Sequence, residues 1–180
     1  GGIMTNYDSN IIKANKSSYL VVEADEYDRS FLKLHPWISV ISTLSADHLD
    51  IYGSLENMRF SFSKFMGQTD PAGTVILHED VAHELKRTDN TVIYGMGKEV
   101  DIHIKDIKVK GHHFHFKLSV DDEYADIRMG VPGKHNIANA AAAAAVCLQT
   151  GMSLAEIREG LESYRGVKRR FEFIMEDPDK

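Results

Sequence analysis

WISVISTLSADHLDIYGSLENMRFSFSKFM, residues 37–66, sets an apolar run ahead of a helical stripe. WISVISTL (37–44) is short and rich in β-branched and aromatic side chains. It does not alternate cleanly between apolar and polar, which suits a strand buried on both faces of a parallel sheet. Leu55, Met58, Phe62, Phe65 and Met66 follow at i, i+3, i+7, i+10 and i+11, one apolar face of a helix. Outside this stretch, YLVVEA (19–24), TVIL (74–77) and TVIY (91–94) are further short apolar runs, each predicted to be a buried strand. Strands alternating with helices define an α/β sheet.

The texture changes near residue 101. DIHIKDIKVKGHHFHFKLSVDDEYADIRMGV (101–131) alternates with period two, placing Phe114, Phe116 and Leu118 on one face and His113, His115 and Lys117 on the other. That pattern predicts antiparallel strands with one wet face. HNIANAAAAAAVCLQT (135–150) is a strong helix, and after Gly151 the tetrad SLAE (153–156) is a capping box for a last helix striped by Leu154, Ile157 and Leu161. The predicted fold is therefore α/β: a mostly parallel sheet flanked by helices, with a smaller antiparallel β portion at about residues 101–131.

Composition narrows the function classes. The chain has 180 residues, 43% of them hydrophobic, enough for one domain with a core or one domain plus part of another. The net charge is −6 with no basic stripe apparent along the sequence, which argues against a nucleic-acid partner. No run of eighteen apolar residues suggests a membrane span, and no signal peptide opens the chain. The single cysteine, Cys147, cannot form an internal disulfide, and the cytoplasm is the simplest fit. The opening GGIMTNYDSN and the closing RRFEFIMEDPDK read as cuts through a longer protein.

Three segments carry candidate chemistry. The first predicted strand ends in EADEYD (23–28) and the second in SADHLD (45–50). Ligands gather at the carboxyl ends of strands in parallel α/β sheets, so Glu23 and His48 are expected at one edge. Carboxylate with imidazole is a metal-site combination, Mg²⁺ by the oxygen ligands or Mn²⁺ or Zn²⁺ by the ring. The plain alternative is a pair of solvated acidic loops. In PGKHNIAN (132–139), Asn136 and Asn139 share a face at a helix start, and carboxamides offer the donors and acceptor that a purine edge needs. The alternative there is an asparagine cap beside a second polar residue. KRRFEF (168–173) puts adjacent arginines before a predicted strand, where they could hold phosphate or simply face water. HHFH (112–115) looks like a metal tract but lacks a carboxylate or cysteine at ligand spacing. No G-x-x-x-x-G-K-[ST] phosphate cradle occurs anywhere in the chain.

EADEYDRSFLKLHP, ADHLDIYG, GKHNIANAAAAAAV and GVKRRFEF, in that order and rough spacing, resemble the Mur ligases from Gly1 to about Phe173. The resemblance implies a three-domain ATP-dependent ligase, with UDP-N-acetylmuramate and L-alanine as substrates, ATP and Mg²⁺ as cofactors, and an acyl phosphate as intermediate. It implies that residues 1–165 are a truncated central ATP-binding domain, inactive alone, and that 166–180 are a hinge and the first strand of a C-terminal domain. Residue by residue, Glu23 and His48 match the family's catalytic metal ligands, with Asp47 and Asp50 orienting the ring. His135, Asn136 and Asn139 match its adenine-binding residues, and Arg170 the hinge arginine that reaches ATP. Several relatives use a carbamylated lysine; Lys64 lies nearby in sequence but is not assigned that role. A recycling ligase that adds peptides to the same sugar, a stand-alone metal-dependent phosphohydrolase and a binding module without chemistry are the other readings.

Overall fold

The computed structural model describes residues 2–13, 17–45 and 49–168. Among the described residues, six strands form one sheet in chain order: β1 (Ile38–Ile41), β2 (Thr74–His78), β3 (Thr91–Gly95), β4 (Ile102–Lys110), β5 (His113–Val120) and β6 (Glu123–Met129). Around them lie α1 (Leu49–Tyr52), α2 (Leu55–Met66), α3 (Glu79–Ala82), α4 (Lys134–Gln149) and α5 (Leu154–Ser163). Strands β1 to β4 are parallel, with Ile38 opposite Thr74, Val75 opposite Thr91 and Tyr94 opposite Ile102. The β4–β5 and β5–β6 pairs are antiparallel. The mixed sheet expected from the sequence is thus present, with its antiparallel part where the period-two pattern begins.

Strands β2 and β3 lack polar alternation because both of their faces are covered, whereas β1, expected to be buried on both faces, leaves Val40 exposed as the edge strand. Ile76 and Tyr94 join the cluster under α4 (Lys134–Gln149), while Val75, Leu77 and Ile93 face Phe65 and Met66 of α2 (Leu55–Met66) on the other side. Ser54 caps α2 by accepting the Asn57 N–H at 3.1 Å. The alanine run of α4 supplies the close approach: Ala141 and Ala145 are fully buried, and methyl-sized side chains let the helix lie against β2, β3, β4 and β5. Beyond it, α5 (Leu154–Ser163) has the predicted capping box, with Ser153 and Glu156 each meeting the other's backbone, and packs on β6.

One predicted strand is absent. YLVVEA (19–24) runs without strand pairing, with Leu20 and Val21 exposed at 88% and 89%. An apolar run becomes a strand only where a neighbour meets its N–H and C=O groups, and among the described residues YLVVEA does not pair with β1, the edge strand on that side of the sheet. The strand predicted within RRFEFIMEDPDK lies outside the described residues.

Candidate functional site

The acidic segment and the loop after β1 meet at the carboxyl end of β1. A short helical turn, Ser30–Lys33, anchors the acidic segment by driving Phe31 into the core, with ring centroids 5.2 Å from both Phe62 and Phe65. Upstream, the carboxylates shape the backbone: Asp25 accepts the Tyr27 N–H at 3.0 Å and Asp28 accepts the Ser30 N–H at 2.8 Å. The Ser30 hydroxyl first, and then that N–H, hold the Asp28 carboxyl below the usual carboxylate range.

Two side chains then tie this segment to the helical turn Leu49–Tyr52, which follows His48. The buried Tyr52 hydroxyl donates to the Glu26 carbonyl at 2.7 Å, and burial pushes its phenol upward. Arg29 donates to the Ile51 carbonyl at 3.0 Å and lies 4.9 Å from the centre of the Tyr52 ring. Between the two segments a cleft of about 150 Å³ is lined by Ala24 and Glu26 on one side and Ser42, Thr43 and Ser45 on the other. Glu23, beside Ala24, is exposed at the same end of the sheet. Asp50 is exposed in the first turn of the helical element, while Asp47 and His48 lie outside the described residues.

The donor chemistry of these loops suits a hard divalent cation, since carboxylate oxygens dominate. Among the described residues, no three His, Cys, Asp or Glu side chains converge at metal-binding spacing. The HHFH tract behaves as a wet strand face. His113 Nε2 lies 3.2 Å from an Arg128 guanidinium nitrogen, and partial burial followed by the nearby Arg128 charge holds its imidazole below the ordinary value. Strand pairing also aligns Lys108, His115 and Arg128 in one row across the sheet, two basic side chains with an imidazole between them, which the linear sequence does not display.

The second region is the start of α4. Its cap residue, Gly133, has φ 106° and ψ 128°, and the His135 ring sits against it. Asn136 is half-buried and donates from Nδ2 to the Pro132 carbonyl at 2.6 Å, so it holds the entry loop. Asn139 is exposed one turn on. Both asparagines line a largely apolar cavity of about 420 Å³ between α4 and α5, whose walls include Met129, Ile157, Leu161 and Tyr164. The size and lining are those of a small-ligand pocket with a few polar groups at its mouth. His135 is exposed and does not line this cavity. Arg170 lies outside the described residues.

Sequence reasoning missed Arg29 and Tyr52. Tyr52 stands inside the quoted ADHLDIYG segment, but nothing in its spacing signals the contact to Glu26. Arg29 takes the left-handed conformation, φ 61°, which no residue pattern announces.

A family model described as the Mur ligase middle domain matches residues 4–147. A protein from Cytophaga hutchinsonii named UDP-N-acetylmuramate–L-alanine ligase is 38% identical over 182 residues, covering 98% of this chain and 39% of that protein. One of the same name from Phocaeicola vulgatus is 38% identical over 179 residues, with the same two coverages. The crystal structure of UDP-N-acetylmuramate-alanine ligase MurC from Thermotoga maritima superposes with a TM-score of 0.72 at 29% identity, covering 87% of this chain and 35% of that one. A MurF ligase from Thermotoga maritima, solved in complex with ADP, shares the fold at a TM-score of 0.67 and 19% identity, covering 80% of this chain and 34% of that one. The chain belongs to the Mur ligase family. It spans 39% of the length of the two curated relatives above, and no helix among its described residues is long and apolar enough to cross a membrane.

Proposed function

We propose that the protein carrying this chain is an ATP-dependent ligase that joins L-alanine to UDP-N-acetylmuramate during cytoplasmic synthesis of peptidoglycan precursors. Residues 1–165 form its central ATP-binding domain, and 166–180 the hinge and first strand of the next domain. The observation that carries this reading is the 38% identity, across 98% of the chain, to proteins named for that reaction. In the reaction, the sugar's carboxylate takes the γ-phosphoryl group of ATP and ADP leaves. The amine of L-alanine then attacks the acyl phosphate, phosphate departs, and the amine loses its proton.

Glu23 and His48 would hold Mg²⁺, which, when bound, neutralises phosphoryl charge. Tyr52 and Arg29 lock the acidic segment against the turn that follows His48. Asn136 and Asn139 face the adenine from the cavity at the start of α4, with His135 beside them. Arg170 reaches ATP from the hinge. Support for the base site comes from both asparagines lining one cavity large enough for a purine.

The test is steady-state kinetics of the full-length protein with UDP-N-acetylmuramate, L-alanine, ATP and Mg²⁺. Phosphate release should require all four and turn over on the order of 1 s⁻¹ or faster. Asn139→Ala should raise the KM for ATP and narrow the preference for ATP over GTP, leaving the KM for L-alanine nearly unchanged. Phosphate release that ignores L-alanine and the sugar would defeat the ligase reading, and an unchanged ATP-to-GTP ratio would defeat the base site.

A further inference from the structure

Residues 2–9 fold back onto the stretch of chain that leaves α5, more than 150 positions away in sequence. Met4 bridges to both Ser9 and Val167. The Thr5 N–H donates to the Gly166 carbonyl at 2.9 Å and the Lys168 N–H to the Ile3 carbonyl at 2.8 Å. Asn6 uses both ends of its carboxamide: Nδ2 donates to the Ser163 carbonyl at 2.7 Å, and Oδ1 accepts the Arg165 N–H at 2.7 Å. The Lys168 ammonium pairs with the Asp8 carboxylate. Gly2 lies so close to Val167 that a Cβ on it would come within 2.2 Å of a Val167 methyl. On the opposite side, the buried Gly166 takes φ +86° and approaches Val131.

Residues 164–168 form neither helix nor extended strand. An irregular segment of this kind has many accessible conformations, and holding it in one requires partners for its backbone. The loop at 2–9 supplies them on successive residues. We propose that this loop is a clasp fixing the direction in which the chain leaves α5, with Asn6 as its positioning residue. The clasp lies apart from the acidic edge, and the segment it holds includes Tyr164, a wall of the cavity between α4 and α5. Its consequence for catalysis rests on the ligase reading, because the chain beyond Lys168 would then carry the part that must close over the nucleotide. Its existence does not rest on that reading.

The experiment compares Asn6→Ala and Asn6→Asp with wild type in the full-length protein, by residue-resolved amide hydrogen exchange and by kinetics. Asn6→Ala removes two hydrogen bonds, so the amides of Arg165, Lys168 and Thr5 should exchange about tenfold faster while those of α4 keep their rates. Asn6→Asp retains an acceptor for the Arg165 N–H but cannot donate to Ser163, so its Arg165 amide should exchange more slowly than in Asn6→Ala. The kcat of Asn6→Ala should fall several-fold with little change in melting temperature. Unchanged exchange at Arg165, or acceleration spread evenly into α4 and β2, would overturn the clasp. A loosened Arg165 amide with unchanged kcat would overturn the positioning role. A wild-type protein without ligase activity would defeat the ligase reading and leave the exchange result standing.

Discussion

Substituting Gly133 by alanine tests how the start of α4 is built. Its φ of 106° and ψ of 128° lie outside the left-handed well that L-residues occasionally visit. Holding alanine there costs on the order of 1–3 kcal/mol. A second cost comes from crowding, since the new Cβ would sit 2.5 Å from His135 Cε1 and 3.0 Å from Nδ1. That part is relieved if the exposed ring swings away, whereas the backbone part is not. Calorimetry of the full-length protein should show a loss of about 2 kcal/mol, on the order of 5 °C for a unit of this size. The double variant Gly133→Ala with His135→Ala separates the two contributions. If backbone strain dominates, removing the ring restores less than half of the lost stability. ATP affinity should fall in Gly133→Ala, because the displaced ring and the shifted entry loop both border Asn136, whose carboxamide holds the Pro132 carbonyl. A Gly133→Ala protein with wild-type melting and wild-type ATP affinity would show that this backbone conformation does not shape the site.

Two further substitutions probe the core and the acidic segment. Tyr94 is fully buried, its hydroxyl has no hydrogen-bond partner, and burial pushes its phenol from 10.0 up to about 12. A raised folded-state value favours the protonated form, so this contribution is complete below the unfolded value and is lost as pH climbs through the folded one, at most about 3 kcal/mol. Tyr94→Phe should therefore gain about 1 kcal/mol near neutrality and lose that alkaline decline, measured by denaturant midpoints at about pH 8 and about pH 11. An equal alkaline loss in both proteins would refute the assignment. Tyr52→Phe removes only the hydroxyl that reaches the Glu26 carbonyl and keeps the ring beside Arg29. It should cost about 1 kcal/mol and raise the Mg²⁺ concentration needed for half-maximal activity a few-fold. Unchanged stability with an unchanged Mg²⁺ titration would show that this contact does not hold the loop.

What was legible in the sequence follows the range of the interactions that decide each feature. The α2 stripe, the α5 capping box and the period-two strands of residues 101–131 are set by neighbours within a few positions, and each appears where its pattern placed it. The pairing of Asn136 with Asn139 is equally local, since three residues on a helix fix a shared face, and both line one cavity. YLVVEA failed as a strand for the opposite reason. Its composition is right, but a strand is a property of two segments, and among the described residues no ladder joins it to β1.

The same division runs through the candidate metal edge. Sequence alone brought EADEYD and SADHLD to one end of the sheet through two parallel strands, but only the second loop follows a strand, β1, and EADEYD reaches that end from a run without strand pairing. Sequence could not supply the Arg29–Ile51 and Tyr52–Glu26 contacts, which join residues 22 and 26 positions apart. Those contacts determine whether two acidic loops merely border one cleft or hold a fixed separation. Carboxylates on untethered loops would spread under mutual repulsion, and a cation would have to gather them at an entropic cost. Arg29 counters this in two ways: its charge sits among Glu26, Asp25 and Asp28 around Tyr52, and its hydrogen bond fixes the far loop. A neutral replacement that kept the length of the side chain would remove the first effect along with the second. Arg29 and Tyr52 therefore belong with Glu23 and His48 in any account of how this edge could hold a cation.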